Sequence, residues 1–121
     1  MRLTLAALAL TLALALPAAT AAQTAADRAA WRLDVATAHV ALVEARACGL
    51  AAETVGRAMD YINGRLVTLA AARGIRPREA EPVVLKSAVD AAALPTPQPS
   101  RALCASVVPV VQAWAAGRDA E

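Results

Sequence analysis

Apolar positions recur along this chain at steps of three and four residues, the period of a helix and not of a strand. From about Thr24 to Ala47, Trp31, Val35, Ala38, Leu42 and Ala45 share one face, and Gly49 offers a stop just beyond. A second strip, Leu33, Ala36, Val40, Val43 and Ala47, lies partly round the cylinder, so this first helix is expected to meet two neighbours. From roughly Ala51 to Arg73, Val55, Met59, Ile62, Leu66 and Leu69 step by four, three, four and three. Asn63-Gly64 resembles a type I′ hairpin turn, but the five-point stripe runs through it unbroken. Gly56 and Gly64 fall on one side of that second helix. They either admit another backbone closely or are tolerated at up to about 1 kcal/mol each.

Gly74 and Pro77 close the second helix and open a turn. A third helix is expected to follow Glu81-Pro82, since proline is favoured at the first helical position, and to end before Leu94-Pro95. Pro95-Thr96-Pro97-Gln98-Pro99 reads as an extended connector. Ser100 then caps a fourth helix whose inward face is Cys104, Val107, Val108, Val111, Trp114 and Ala115. Pro109 sits opposite that face and is expected to bend the helix. No alternating β-branched segment is long enough for a strand. The pattern predicts an all-α fold, a small bundle of about four helices.

The first 22 residues do not belong to that bundle. Arg2 supplies a positive start, Leu3 to Leu16 an apolar run and Ala18 to Ala22 small residues, the three parts of a secretory signal peptide. Cleavage after Ala21 or Ala22 leaves residues 23–121 as a single helical domain. Fourteen apolar residues fall short of the roughly 20 that a bilayer core requires, so no stable membrane anchor is expected. Basic residues are arginine except for Lys86, and alanine is heavily used, which suggests a GC-rich bacterial genome and the periplasm as the address.

Charge and cysteine usage narrow the function further. Of 12 basic side chains Arg2 lies in the leader, leaving 11 against 10 acidic ones. No concentrated basic footprint for nucleic acid is visible. Two cysteines in a small exported domain point to one disulfide, Cys48 to Cys104. The spacing fits neither a Cys-x-x-Cys redox site nor haem attachment, and His39 with two cysteines falls short of a zinc ligand set. Neither a metal nor any other cofactor is expected. Joining Cys48 to Cys104 requires the end of helix one to meet the start of helix four.

Candidate chemistry is sparse. Arg28, Arg32, His39 and Arg46 lie within about 40° of each other on the first helix at 100° per residue. They form either a cationic stripe for an acidic partner, an anionic ligand or a membrane surface, or simply a solvated face. His39 is the one histidine, and it reads as a pH sensor or as a solvated or capping residue. Glu79 and Glu81 adjoin Pro82, where negative charge suits a helix start. No carboxylate pair, nucleophile and base, or metal set suggests an enzyme. The only aromatic residues are Trp31, Tyr61 and Trp114, so the core buries limited area, and a homodimer or the surface of another exported protein would add to it.

An exported chain of this size, with one cysteine after a first helix and the other early in a last helix, resembles the HdeA-type periplasmic acid-stress chaperones in arrangement. The resemblance implies a chaperone opening on acidification. The aromatic-containing segment those proteins carry around the first cysteine is not found in Ala45-Arg46-Ala47-Cys48-Gly49-Leu50. The reading from the residues themselves is a non-enzymatic accessory or immunity-like protein acting by protein contact. A carrier of a small apolar ligand is the further alternative.

Overall fold

The computed structural model describes residues 2–120, with side chains from residue 23 onward. The expected signal peptide therefore lies outside the residues with described side chains. Four helices follow in order: α1 (Arg2–Ala47), α2 (Ala52–Ala72), α3 (Pro77–Ala92) and α4 (Arg101–Ala115). Among the described residues there is no strand, and no helix is long and apolar enough to cross a membrane. The expected start at Thr24 falls inside α1, in an alanine-rich stretch that gives a helix no reason to begin there.

Helix ends are fixed by local chemistry. Gly49 and Gly74 adopt φ of 96° and 77°, a left-handed conformation that costs a side chain-bearing residue energy. Each lets the next residue's N–H reach five residues back, Leu50 to the Ala45 carbonyl at 3.1 Å and Ile75 to the Ala70 carbonyl at 2.9 Å. That is the Schellman closure, with its usual hydrophobic residue after the glycine, and Ile75 is buried. Ser100 caps α4 as the pattern predicts, its Oγ accepting from the Leu103 N–H at 3.0 Å.

The third helix begins earlier than expected. Pro77, not Pro82, occupies the first helical position, and Pro82 lies inside α3. Both prolines satisfy the same first-position preference, so that preference by itself does not choose between them. At the sixth position Pro82 removes one hydrogen bond, to the carbonyl of Arg78, and Arg78 is exposed to water. Pro109 is likewise inside α4 and exposed, on the side away from the core.

The core joins Trp31, Val35, Ala38, Leu42 and Ala45 of α1 with Ala58, Ile62, Leu66 and Ala70 of α2, Ala80 and Val84 of α3, and Val107 and Val111 of α4. All five positions of the predicted first face are buried. On α2 the buried line runs 58, 62, 66, 70, rotated from the expected stripe, leaving Val55 and Met59 half-buried and Leu69 exposed. Alanine holds the innermost places because it lets helices approach closely. The second α1 strip is outside the core, with Leu33 67% exposed.

α1 packs on all three other helices and α2 on α3 and α4, while α3 and α4 make no contact among the described residues. The α1–α2 pair is thus central and antiparallel, with α3 on one flank and α4 on the other. Trp31 locks the pair, its indole N–H donating to the Leu66 carbonyl at 2.9 Å. Cys48 and Cys104 form a disulfide with a Cα–Cα distance of 5.6 Å and 56 residues of sequence separation. Closing a loop of that length disfavours the unfolded chain by about 4 kcal/mol in the chain-entropy model.

Neither Gly56 nor Gly64 serves a close approach: a Cβ built on either meets no atom within 4 Å. Gly64→Ala is therefore expected to raise unfolding free energy by about 0.5–1 kcal/mol, measured by urea denaturation of the oxidised protein; a loss of stability would contradict this placement.

Candidate functional site

The four residues of the cationic stripe are dispersed by packing. Arg28 forms an ion pair with Glu79 at the start of α3. Arg32 is exposed beside the α1–α3 seam, near Lys86 and Asp90. Arg46 is exposed near the disulfide end and donates to the Leu50 carbonyl at 3.1 Å. His39 is neither solvated nor a cap, and lies 1% exposed within the bundle.

His39 connects three helices. Its Nδ1 lies 2.8 Å from Ser87 Oγ on α3 and its Nε2 2.8 Å from Asn63 Oδ1 on α2. Asn63 Oδ1 can only accept, which puts a proton on Nε2. Nδ1 pairs with the Ser87 hydroxyl, which can both give and take a hydrogen bond. No buried side-chain polar atom lacks a partner among the described residues, so the knot satisfies every group it buries. The sequence carried a partial signal for it. His39 is adjacent to core residue Ala38 and one turn from Val35, but nothing marked Ser87, and Asn63 was conspicuous only as half of a turn-like dipeptide.

A second polar cluster ties down the C-terminal tail. Tyr61 donates to Asp119 Oδ1 at 2.5 Å, Arg65 Nε lies 3.2 Å from both carboxylate oxygens, and its Nη2 pairs with Oδ2 at 3.1 Å. The hydrogen bond from Tyr61, then that from Arg65, holds the Asp119 carboxyl below the ordinary carboxylate range, and the same contact holds the Tyr61 phenol above its own. Tyr61 and Arg65 lie one turn apart on α2, and the third member of the cluster, Asp119, comes 54 residues after Arg65.

Between these ties lie two clefts of different character. On the α4 flank a groove of about 510 Å³ has α1 and α4 as walls and α2 as floor. Ala38 and Ala41 line one wall, Val107, Val110 and Trp114 the other, and Ile62, Leu66 and Leu69 the floor, with Asp34 and Glu44 on the α1 rim. Asp34 pairs with Arg73 at 3.6 Å, whereas Glu44 has no ionic partner among the described residues. On the α3 flank a cleft of about 390 Å³ runs between α1, α2 and α3, bordered by His39 and Arg46 and by no carboxylate.

The disulfide takes both sulfurs, so neither cysteine is a free thiol. Among the described residues no three His, Cys, Asp or Glu side chains gather as a metal site. No family model, curated protein or solved structure matches the chain, and its chemistry is to be read from its own residues.

Two outcomes follow from the polar clusters. His39→Ala strands Asn63 and Ser87 and opens a cavity, and is expected to cost about 2–4 kcal/mol, read as a lowered urea midpoint with the helices retained. Asp119 has a depressed folded pKa, so its contribution is complete above the ordinary aspartate value near 4 and is lost as pH falls through the lower folded value. In an NMR titration the Asp119 carboxyl should show a midpoint below about 4, with residues 116–120 loosening over the same range. In Asp119→Asn that tail should already be loose at neutral pH. An ordinary midpoint would remove the clamp.

Proposed function

We propose that this is a small exported helical protein, non-enzymatic, that acts by contact with another protein, and that the α1–α4 groove is its contact surface. One observation carries the reading: an open apolar groove whose two walls are helices and whose floor is a third. That shape receives an amphipathic helix laid along it. Trp114 stands half-buried in the wall with no hydrogen-bond partner for its indole N–H among the described residues. Tryptophan is the residue type most often found to dominate a binding surface. Glu44, unpaired on the rim, favours a partner helix with a lysine or arginine beside its apolar face. Export is supported by the signal-type N-terminus and by the disulfide, a bond that persists in oxidising compartments.

A second reading, an acid-stress chaperone of HdeA-like type, draws on the Asp119 clamp. This tie lies just past Trp114 and weakens as pH falls, which would free the α4 end of the groove. Suppression of client aggregation at low pH and none at neutral pH would favour it.

A photoreactive amino acid at Val110, incorporated in the producing cells, tests the main reading. It is expected to give one discrete adduct that is lost on adding Ala41→Arg, while the same probe at exposed Leu85 on α3 gives none. An adduct of twice the chain mass would make the partner a second copy. Absence of adducts from Val110 and from Leu103 would refute the groove as a contact surface.

A further inference from the structure

We propose that the cleft between α1, α2 and α3 binds a medium-chain carboxylate, with its alkyl chain against Leu42, Val55 and Met59 and its headgroup on Arg46. The cleft measures about 390 Å³ and, apart from His39, Arg46 and Thr96, only apolar side chains and Gly56 line it. Both ring nitrogens of His39 are already taken by Ser87 and Asn63, so at this end the cleft meets the carbon edge of the ring and is apolar in effect. Arg46 stands two turns further along α1, about 10 Å away at 1.5 Å per residue, which matches an extended alkyl chain of medium length. An aliphatic tail thus has an apolar lining and its head a cation.

Charge decides between amphiphiles. Arg46 spends one donor on the Leu50 carbonyl, and no carboxylate pairs with its guanidinium among the described residues. No acidic residue lines this cleft, in contrast to the α1–α4 groove with Asp34 and Glu44 and the α1–α3 seam with Asp90. A guanidinium presents a planar fork that suits a carboxylate bidentately. Gly56 keeps the wall open: a Cβ there would meet no atom within 4 Å, and a larger side chain would enter the space assigned to the ligand. Of the arginines first read as part of a possible anion-binding stripe, Arg46 alone borders an apolar cleft lined by no acidic residue. This assignment is independent of the protein-contact reading of the opposite flank.

The test is an NMR titration of the oxidised mature protein with decanoate below its micelle concentration, with decyltrimethylammonium as the opposite-charge control. Decanoate is expected to shift the Leu42, Val55 and Met59 methyls saturably, and the ammonium compound to leave them unchanged. Arg46→Gln should weaken binding about tenfold or more, the ratio for one lost charge-assisted hydrogen bond. Gly56→Leu should abolish binding while the helical circular dichroism persists. Should that variant fail to fold, Ala92→Leu blocks the same cleft from an exposed position on α3. Equal binding of the ammonium compound, shifts confined to the α4 flank, or no saturable shift would each overturn the proposal.

Discussion

The Cys48–Cys104 disulfide is the constraint on which the α4 flank depends. α4 is reached through the proline-rich connector 95–99, which is exposed except for a half-buried Pro97, and it has no contact with α3. Its position is therefore set by what holds it to α1 and α2: the disulfide at its first turn, Val107 and Val111 in the core, and the Asp119 clamp beyond its last turn. The groove proposed as a contact surface is the space that these attachments leave between α4 and α1. With the bond reduced, the walls of that groove would be joined only by packing, and an alanine-rich core buries limited area for that purpose.

The α3 flank is held by different means. Its ties are the His39 knot, the Arg28–Glu79 ion pair and the packing of Ala80 and Val84. The ion pair is part-exposed and contributes little. The knot is buried, and its importance lies in the cost of breaking it, since each lost partner leaves a desolvated polar group behind. It also fixes a rotational register, because His39 reaches Asn63 and Ser87 together only when both helices present those positions to α1. One flank is thus specified by a covalent bond and the other by hydrogen-bond geometry, and the clefts beside them differ in charge.

Much of the architecture was legible in the sequence. The four helices, the inward face of α1, the Ser100 cap, the Gly49 stop and the disulfide all follow from period, capping chemistry and cysteine count, which are local or combinatorial constraints. The errors were of two kinds. Pro77 and Pro82 are equally good helix starters, so choosing between them required knowing what packs on Ala80. On α2 the expected stripe was rotated because Ala58 and Ala70 are small enough to be overlooked beside Met59 and Leu69, yet small residues occupy the closest helix contacts.

The candidate site was far less visible. Four residues at helical spacing on α1 looked like one cationic feature because a helical wheel carries no neighbours. Packing turned His39 inward between α2 and α3, gave Arg28 a carboxylate and left Arg46 beside an apolar cleft. By itself the sequence determined that the chain is helical, that the first helix stops at Gly49 and the last is capped by Ser100, and which two sulfurs pair, since those are properties of short segments and of a two-member set. Tertiary structure alone decided which polar groups meet, because Asn63, Ser87 and Asp119 lie 24, 48 and 54 residues from the side chains they bind. No local rule carries that information across the chain.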